Sequence, residues 1–112
     1  MTERIQKILD DKKAVDIQIL DVQGRSTVTD WIVVASGLSK PHIKALYEEV
    51  LVVLKHEGVP CYRHDGDEEG GWLVLDYVGV VVHLFVPEVR AFYQIEDLWK
   101  IEPGTRGGGK TQ

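Results

Sequence analysis

Trp31-Ile-Val-Val-Ala35 is an unbroken run of aromatic, β-branched and small apolar residues, and a helix signal opens directly behind it. With no polar side left for water, such a run fits a strand covered on both faces. Ser36-Gly37-Leu38-Ser39-Lys40-Pro41 closes that strand. Ser39 can cap the helix that follows, and proline is welcome in a first turn. Ile43, Leu46, Tyr47, Val50, Leu51 and Leu54 recur at helical spacing, and Gly58 stands where a C-terminal cap belongs. A central strand feeding a well-capped helix demands a sheet with helices packed on it.

The rest of the chain supplies that sheet. Ile5, Ile8 and Leu9 mark one stripe of a first helix over 3–13, and Asp16 to Leu20 alternates as a strand with Val15, Ile17 and Ile19 on one face. Pro60 to Arg63 reads as a short strand, and the acidic, Gly-rich 65–71 reads as a loop. Trp72 to Tyr77 and Val80 to Val86 form a hairpin around Val78-Gly79, with Gly79 expected to take the positive φ. Pro87-Glu88 starts a short helix stacking Val89, Phe92 and Tyr93. The order α, β, β, α, β, β, β, α predicts an α/β fold: one compact domain, a mixed β-sheet with helices packed on it, and a right-handed crossover through the long helix. The domain is expected over 1–102, and the Gly-rich 103–112 is expected to be a disordered tail.

A chain of 112 residues has room for one domain with a real core. Thirteen Lys and Arg against 18 Asp and Glu leave a net charge of −5, no surplus for gripping a nucleic-acid backbone. No apolar stretch approaches a membrane span, and the first residues have no apolar signal core. The single Cys61 cannot form an internal disulfide. A reducing cytoplasm is the expected compartment.

Several patterns imitate chemistry. Gly104 to Thr111 satisfies the phosphate-loop pattern, but one residue follows it, so no helix can present its amides to phosphate. Cys61 and His64 lack the partners of a structural zinc site, and on one strand they point to opposite faces, which suits no nucleophile and base. Asp65, Asp67, Glu68 and Glu69 read as a solvated loop rather than a rigid metal frame. No metal or cofactor is expected. His83 interrupts an apolar strand, sharing a face with Val81 and Phe85; it is either a satisfied core histidine or part of an open sheet face with Asp76 as partner. Trp72, Asp76 and Val74 share the face of the neighbouring strand, and such a mixed face looks like a recognition surface. Phe85 or Phe92 should be core. Trp72 and Trp99 are the better interface candidates, and Arg90, one turn from Tyr93, is placed on the same exposed edge.

Leu20-Asp-Val-Gln-Gly-Arg-Ser26, Thr29-Asp-Trp-Ile-Val-Val-Ala-Ser-Gly37, Ser39 with His42, Gly71-Trp-Leu-Val-Leu-Asp76, Val81-Val-His-Leu-Phe85, and Arg90 through Tyr93 to Leu98-Trp99 occur in that order. Together they resemble the ribosomal silencing factor family, also called Iojap, over nearly the whole chain before the tail. The resemblance implies a minimal nucleotidyltransferase-like core and binding to large-subunit ribosomal protein fourteen. It also implies a steric block to joining of the ribosomal subunits, repression of translation under nutrient limitation, and a homodimer when free. The partner surface it implies comprises Trp72, Asp76, His83, Arg90, Tyr93, Leu98 and Trp99. Asp30 and His42 match other recurrent family positions, where their role could be structural.

This chain departs from the family in having Val78-Gly79 where Gly-Asp is usual, so an acidic contact is missing at the hairpin. Asp65-Gly66 replaces Glu-Gly, and Leu38 replaces a commoner Thr. The nucleotidyltransferase-like core raises the alternative of an enzyme, and a dimeric adaptor acting away from the ribosome is another. Against catalysis, Ser36-Gly37 reverses the Gly-Ser turn such enzymes use, and Pro60 to Arg63 offers no carboxylate pair. A fold confers no activity without its site, so a binder without catalysis is expected.

Overall fold

The computed structural model describes residues 1–27 and 29–93. Along it run α1 (Thr2–Asp11), β1 (Val15–Asp21), β2 (Trp31–Ser36), α2 (Lys40–His56), β3 (Arg63–Asp67), β4 (Trp72–Asp76), β5 (Val80–Phe85) and α3 (Pro87–Tyr93). The element order is the expected one. The five strands form one sheet in the order β1-β2-β5-β4-β3. Only β2 and β5 are parallel; the other neighbours are antiparallel. The two most apolar strands thus lie side by side within the sheet, where both faces are available for burial.

Along β2 the residues from Ile32 to Ser36 are all buried. Val33 and Ala35 join Leu73, Leu75, Val82 and Leu84 on the face that packs against α1 and α2. From the helices come Ile5, Ile8, Leu9, Ile43, Leu46, Val50 and Leu54. Ile32 and Val34 point the other way, with Val22 and Phe85, into a smaller cluster that Val89 of α3 helps to close.

The ends of α2 behave as its sequence dictates. The Ser39 side chain accepts from the His42 amide at 3.2 Å, and Pro41 lies in the first turn. Gly58, at φ +86, donates to the Lys55 carbonyl, and Val59 donates to Leu54. His42 has a structural part to play: Nδ1 accepts from the Leu38 amide at 2.9 Å, and Nε2 lies 2.9 Å from the Lys12 carbonyl. One ring therefore ties the end of α1 to the start of α2, and the Arg4–Glu57 pair ties their other ends.

The structure corrects four readings. The strand expected over 60–63 lies instead at Arg63–Asp67, inside the expected loop. All five of its residues are exposed, so no apolar alternation announces it. Its pairing is backbone to backbone with β4, and Gly66 is required where it stands. At Gly66, φ is +80 and a Cβ would come within 2.2 Å of the Trp72 carbonyl. In the β4–β5 hairpin the positive φ belongs to Val78, at +73, and not to Gly79. In β1 a bulge between Val15 and Gln18, with Asp16 at φ +58, breaks the alternation, so Val15 is exposed while Ile17 and Ile19 pack on the core. Phe92 does not stack under α3 but is 80% exposed; Phe85 is the core phenylalanine.

Candidate partner-binding face

Pairing register decides which side chains share a surface. Trp72 opposes Phe85, Val74 opposes His83, and Asp76 opposes Val81 across β4 and β5. On the far side of β5, Val81 and His83 oppose Ile32 and Val34. Across the other edge, Arg63 opposes Asp76 and Asp65 opposes Val74. All of these lie on the sheet face opposite α1 and α2. α3 reaches only the end of that face, near Ser36 and Phe85. Trp72, Val74, Asp76, Val81 and His83 stay half-buried. Beside them Arg63, Asp65, Val74, Asp76 and Val81 line a shallow groove of about 410 Å³, open to solvent.

An aromatic stack organises one end of the face. Trp72 lies against Phe85 with centroids 5.0 Å apart and 25° between planes. Its Nε1–H donates to His83 Nδ1 at 3.1 Å. The partner of His83 is thus Trp72, and not the Asp76 weighed from sequence. The neutral imidazole then carries its proton on Nε2. Asp76 instead accepts from the Val78 amide at 2.8 Å and faces the Arg63 guanidinium at 3.6 Å.

Burial pushes His83 down to about 4. Folding therefore leaves this ring with fewer bound protons than the unfolded chain holds just below its ordinary range. The stability this represents is complete above roughly pH 6.5 and drains away as pH falls toward the folded value. The expected loss is of the order of 3 kcal/mol by about pH 4. Urea unfolding of wild type and His83→Gln from neutral to mildly acidic pH tests this. The glutamine variant should lose less stability on acidification, and parallel profiles would refute the assignment.

The other expected residues fall out differently. Arg90 is not on the exposed edge. It is 7% exposed, and its Nη1 donates to the Asp16 carbonyl at 2.8 Å and to Ser36 Oγ at 2.9 Å. It anchors α3 to the sheet at the end of the face. Tyr93 ends α3, while Leu98, Trp99 and the Gly-rich tail lie outside the described residues. Arg63 and Asp65 belong to the face but escaped the sequence reading, because Asp65 was placed in a loop and β3 has no apolar signal; Val81 shares the face of His83 as expected.

The imitations of chemistry resolve into structure. The Cys61 thiol lies 3.2 Å from the Arg63 carbonyl and 3.6 Å from that of Asp76, and burial pushes it up, away from the thiolate a nucleophile needs. His64 sets its ring edge-on to Tyr47. Glu68 and Glu69 face Lys44 and Lys40 in loose surface pairs at 3.7 and 3.8 Å. Among the described residues no three His, Cys, Asp or Glu side chains gather to hold a metal ion. No helix there is long and apolar enough to cross a membrane.

The family model described as "Ribosomal silencing factor during starvation" matches residues 1–110. This chain belongs to the ribosomal silencing factor family. A ribosomal silencing factor RsfS from Chromobacterium violaceum is 41% identical over 91 residues, spanning 81% of this chain and 75% of its own. The crystal structure of a protein from Chromobacterium violaceum matches this fold with a TM-score of 0.82 at 35% identity, covering 97% of this chain and 94% of that one. A mouse protein named mitochondrial assembly of ribosomal large subunit protein 1 is 29% identical over 102 residues. That alignment covers 88% of this chain but 45% of the mouse protein. The silencing-factor family is one of regulators of the ribosome, and the half-open sheet face is the part of this member with the mixed aromatic, aliphatic and charged character of a recognition surface.

Proposed function

We propose that this chain binds the large ribosomal subunit through large-subunit ribosomal protein fourteen and keeps the small subunit off by its bulk, repressing translation when nutrients are scarce. Membership of the silencing-factor family supports the role, and the name of the mouse relative supports the large subunit as the target. The observation that carries the placement of the contact is the uncovered part of the second sheet face, where Trp72, Val74, Asp76, Val81 and His83 stand half-buried without a helix of the described chain over them.

Such a mechanism needs a patch and a body, with no cofactor and no bond made or broken. Affinity comes from a few aromatic anchors in a polar rim. Trp72 and His83 form the centre, and Asp76 with Arg63 forms the rim. Tyr93, Leu98 and Trp99 are assigned to the same contact, and Arg90 acts by holding α3 in place. The net charge of −5 suits a protein partner better than direct contact with ribosomal RNA. When free in the cytoplasm, the chain is a homodimer.

Sucrose-gradient sedimentation of purified subunits, at magnesium that permits joining, tests this. With the protein added, joined ribosomes should fall and the protein should travel with the large subunit. If joining is unchanged and the protein stays at the top of the gradient, the proposal fails. Travel with the large subunit without any effect on joining would replace it by the adaptor reading.

A further inference from the structure

The hairpin between β4 and β5 has its backbone strain on the wrong residue for folding alone. Val78 sits at φ +73, a region that a β-branched side chain disfavours strongly. Glycine, which takes this conformation freely, stands one position later. A Cβ added at Gly79 would meet nothing within 4 Å, so space does not require glycine there.

The strained turn is held from several sides. Gly79 donates to the Tyr77 carbonyl at 2.9 Å, closing a γ-turn centred on Val78. The Asp76 carboxylate accepts from the Val78 amide at 2.8 Å, and Tyr77 donates to Val80 at 2.8 Å. The Gly79 carbonyl in turn accepts from the Asp30 and Trp31 amides. What this frame presents is an isopropyl group that is 56% exposed and belongs to neither core cluster. A strained apolar side chain that adds nothing to the core is the signature of a position kept for contact rather than for folding. It stands at the end of β4, two residues from Asp76 on the open face.

We propose that Val78 is a partner-contact and specificity residue of that face, its isopropyl group held outward by the over-determined turn to seat in an apolar site on the bound ribosomal protein. The inference rests on the silencing reading above and adds to it an apolar contact at the hairpin tip.

Three variants test it: Val78→Gly, Val78→Asn and Val78→Ala, each measured for melting temperature and for affinity to purified large subunits. Glycine and asparagine relieve the strain, so both should melt higher than wild type, by about 3 °C or more. All three lose the isopropyl group, so all three should bind large subunits about tenfold more weakly. The Ala variant should lose affinity without the gain in melting temperature. Variants that melt higher yet bind within twofold of wild type would overturn the proposal, leaving Val78 a strained turn residue only. Unchanged melting of both the Gly and Asn variants would overturn it from the other side, because no strain would then be stored. Wild-type protein that fails to bind large subunits defeats the silencing reading and this proposal with it, a result distinct from selective failure of the variants.

Discussion

Replacing Arg90 by alanine should lower the unfolding free energy by about 3 kcal/mol. The guanidinium is buried, and its two resolved hydrogen bonds reach across 74 residues to the Asp16 carbonyl and across 54 to Ser36. Truncation leaves the Asp16 carbonyl and the buried Ser36 hydroxyl short of a donor and empties the volume between α3 and the sheet. The Asp16 carbonyl belongs to the β1 bulge at φ +58, a conformation that needs its surroundings to hold it. Lysine should recover less than half of the loss, since its shorter side chain does not carry the ammonium as far as Nη1, the one nitrogen that serves both acceptors. Urea titration at neutral pH reads all three proteins. An alanine variant within about 1 kcal/mol of wild type would mean that Arg90 is not the anchor of α3. The same variant should also bind large subunits poorly, through displacement of α3 rather than loss of a direct contact.

Trp72→Ala is expected to weaken binding to large subunits at least thirtyfold, the range of an aromatic hot spot. Trp72 unites the face: it stacks on Phe85, donates to His83 and leaves part of its ring open to a partner. The stack also means that the variant loses stability, by about 2 kcal/mol, because Phe85 is uncovered. Circular dichroism must therefore confirm that the variant is folded at the assay temperature. Trp72→Phe separates the two contributions by keeping the stack while removing the indole donor from His83. It should stay close to wild type in stability and fall between wild type and alanine in affinity. A folded alanine variant that still binds within threefold of wild type would move the contact off this face.

Where burial follows a local rhythm, it was legible. The run Trp31 to Ala35 announced a strand covered on both sides, and β2 is that strand. The spacing from Ile43 to Leu54, with Ser39 before it and Gly58 behind, announced α2 and both of its ends. The ordered motifs from Leu20 to Trp99 announced the family. Each strand, helix and motif among these signals is built from short steps between residues close in sequence.

Tertiary structure alone decided the rest. β3 is an exposed strand held chiefly by its backbone ladder with β4, and a backbone ladder has no side-chain signature. Arg90 reads as surface because it is charged, yet its acceptors come from β1 and β2, far away in sequence. Trp72 and Asp76 are both diagonal neighbours of His83 across Val74, and His83 met Trp72 because the long indole reaches the imidazole while the Asp76 carboxylate is held by the Val78 amide and faces Arg63. Val78 took the strained φ because the hydrogen bonds of Asp76, Tyr77 and Gly79 close the turn around it. Local sequence recorded which residues seek burial and where helices begin and end, because those preferences act over a few residues. It did not record which backbone or polar group would meet which across the sheet, because that pairing exists only once distant segments share one register.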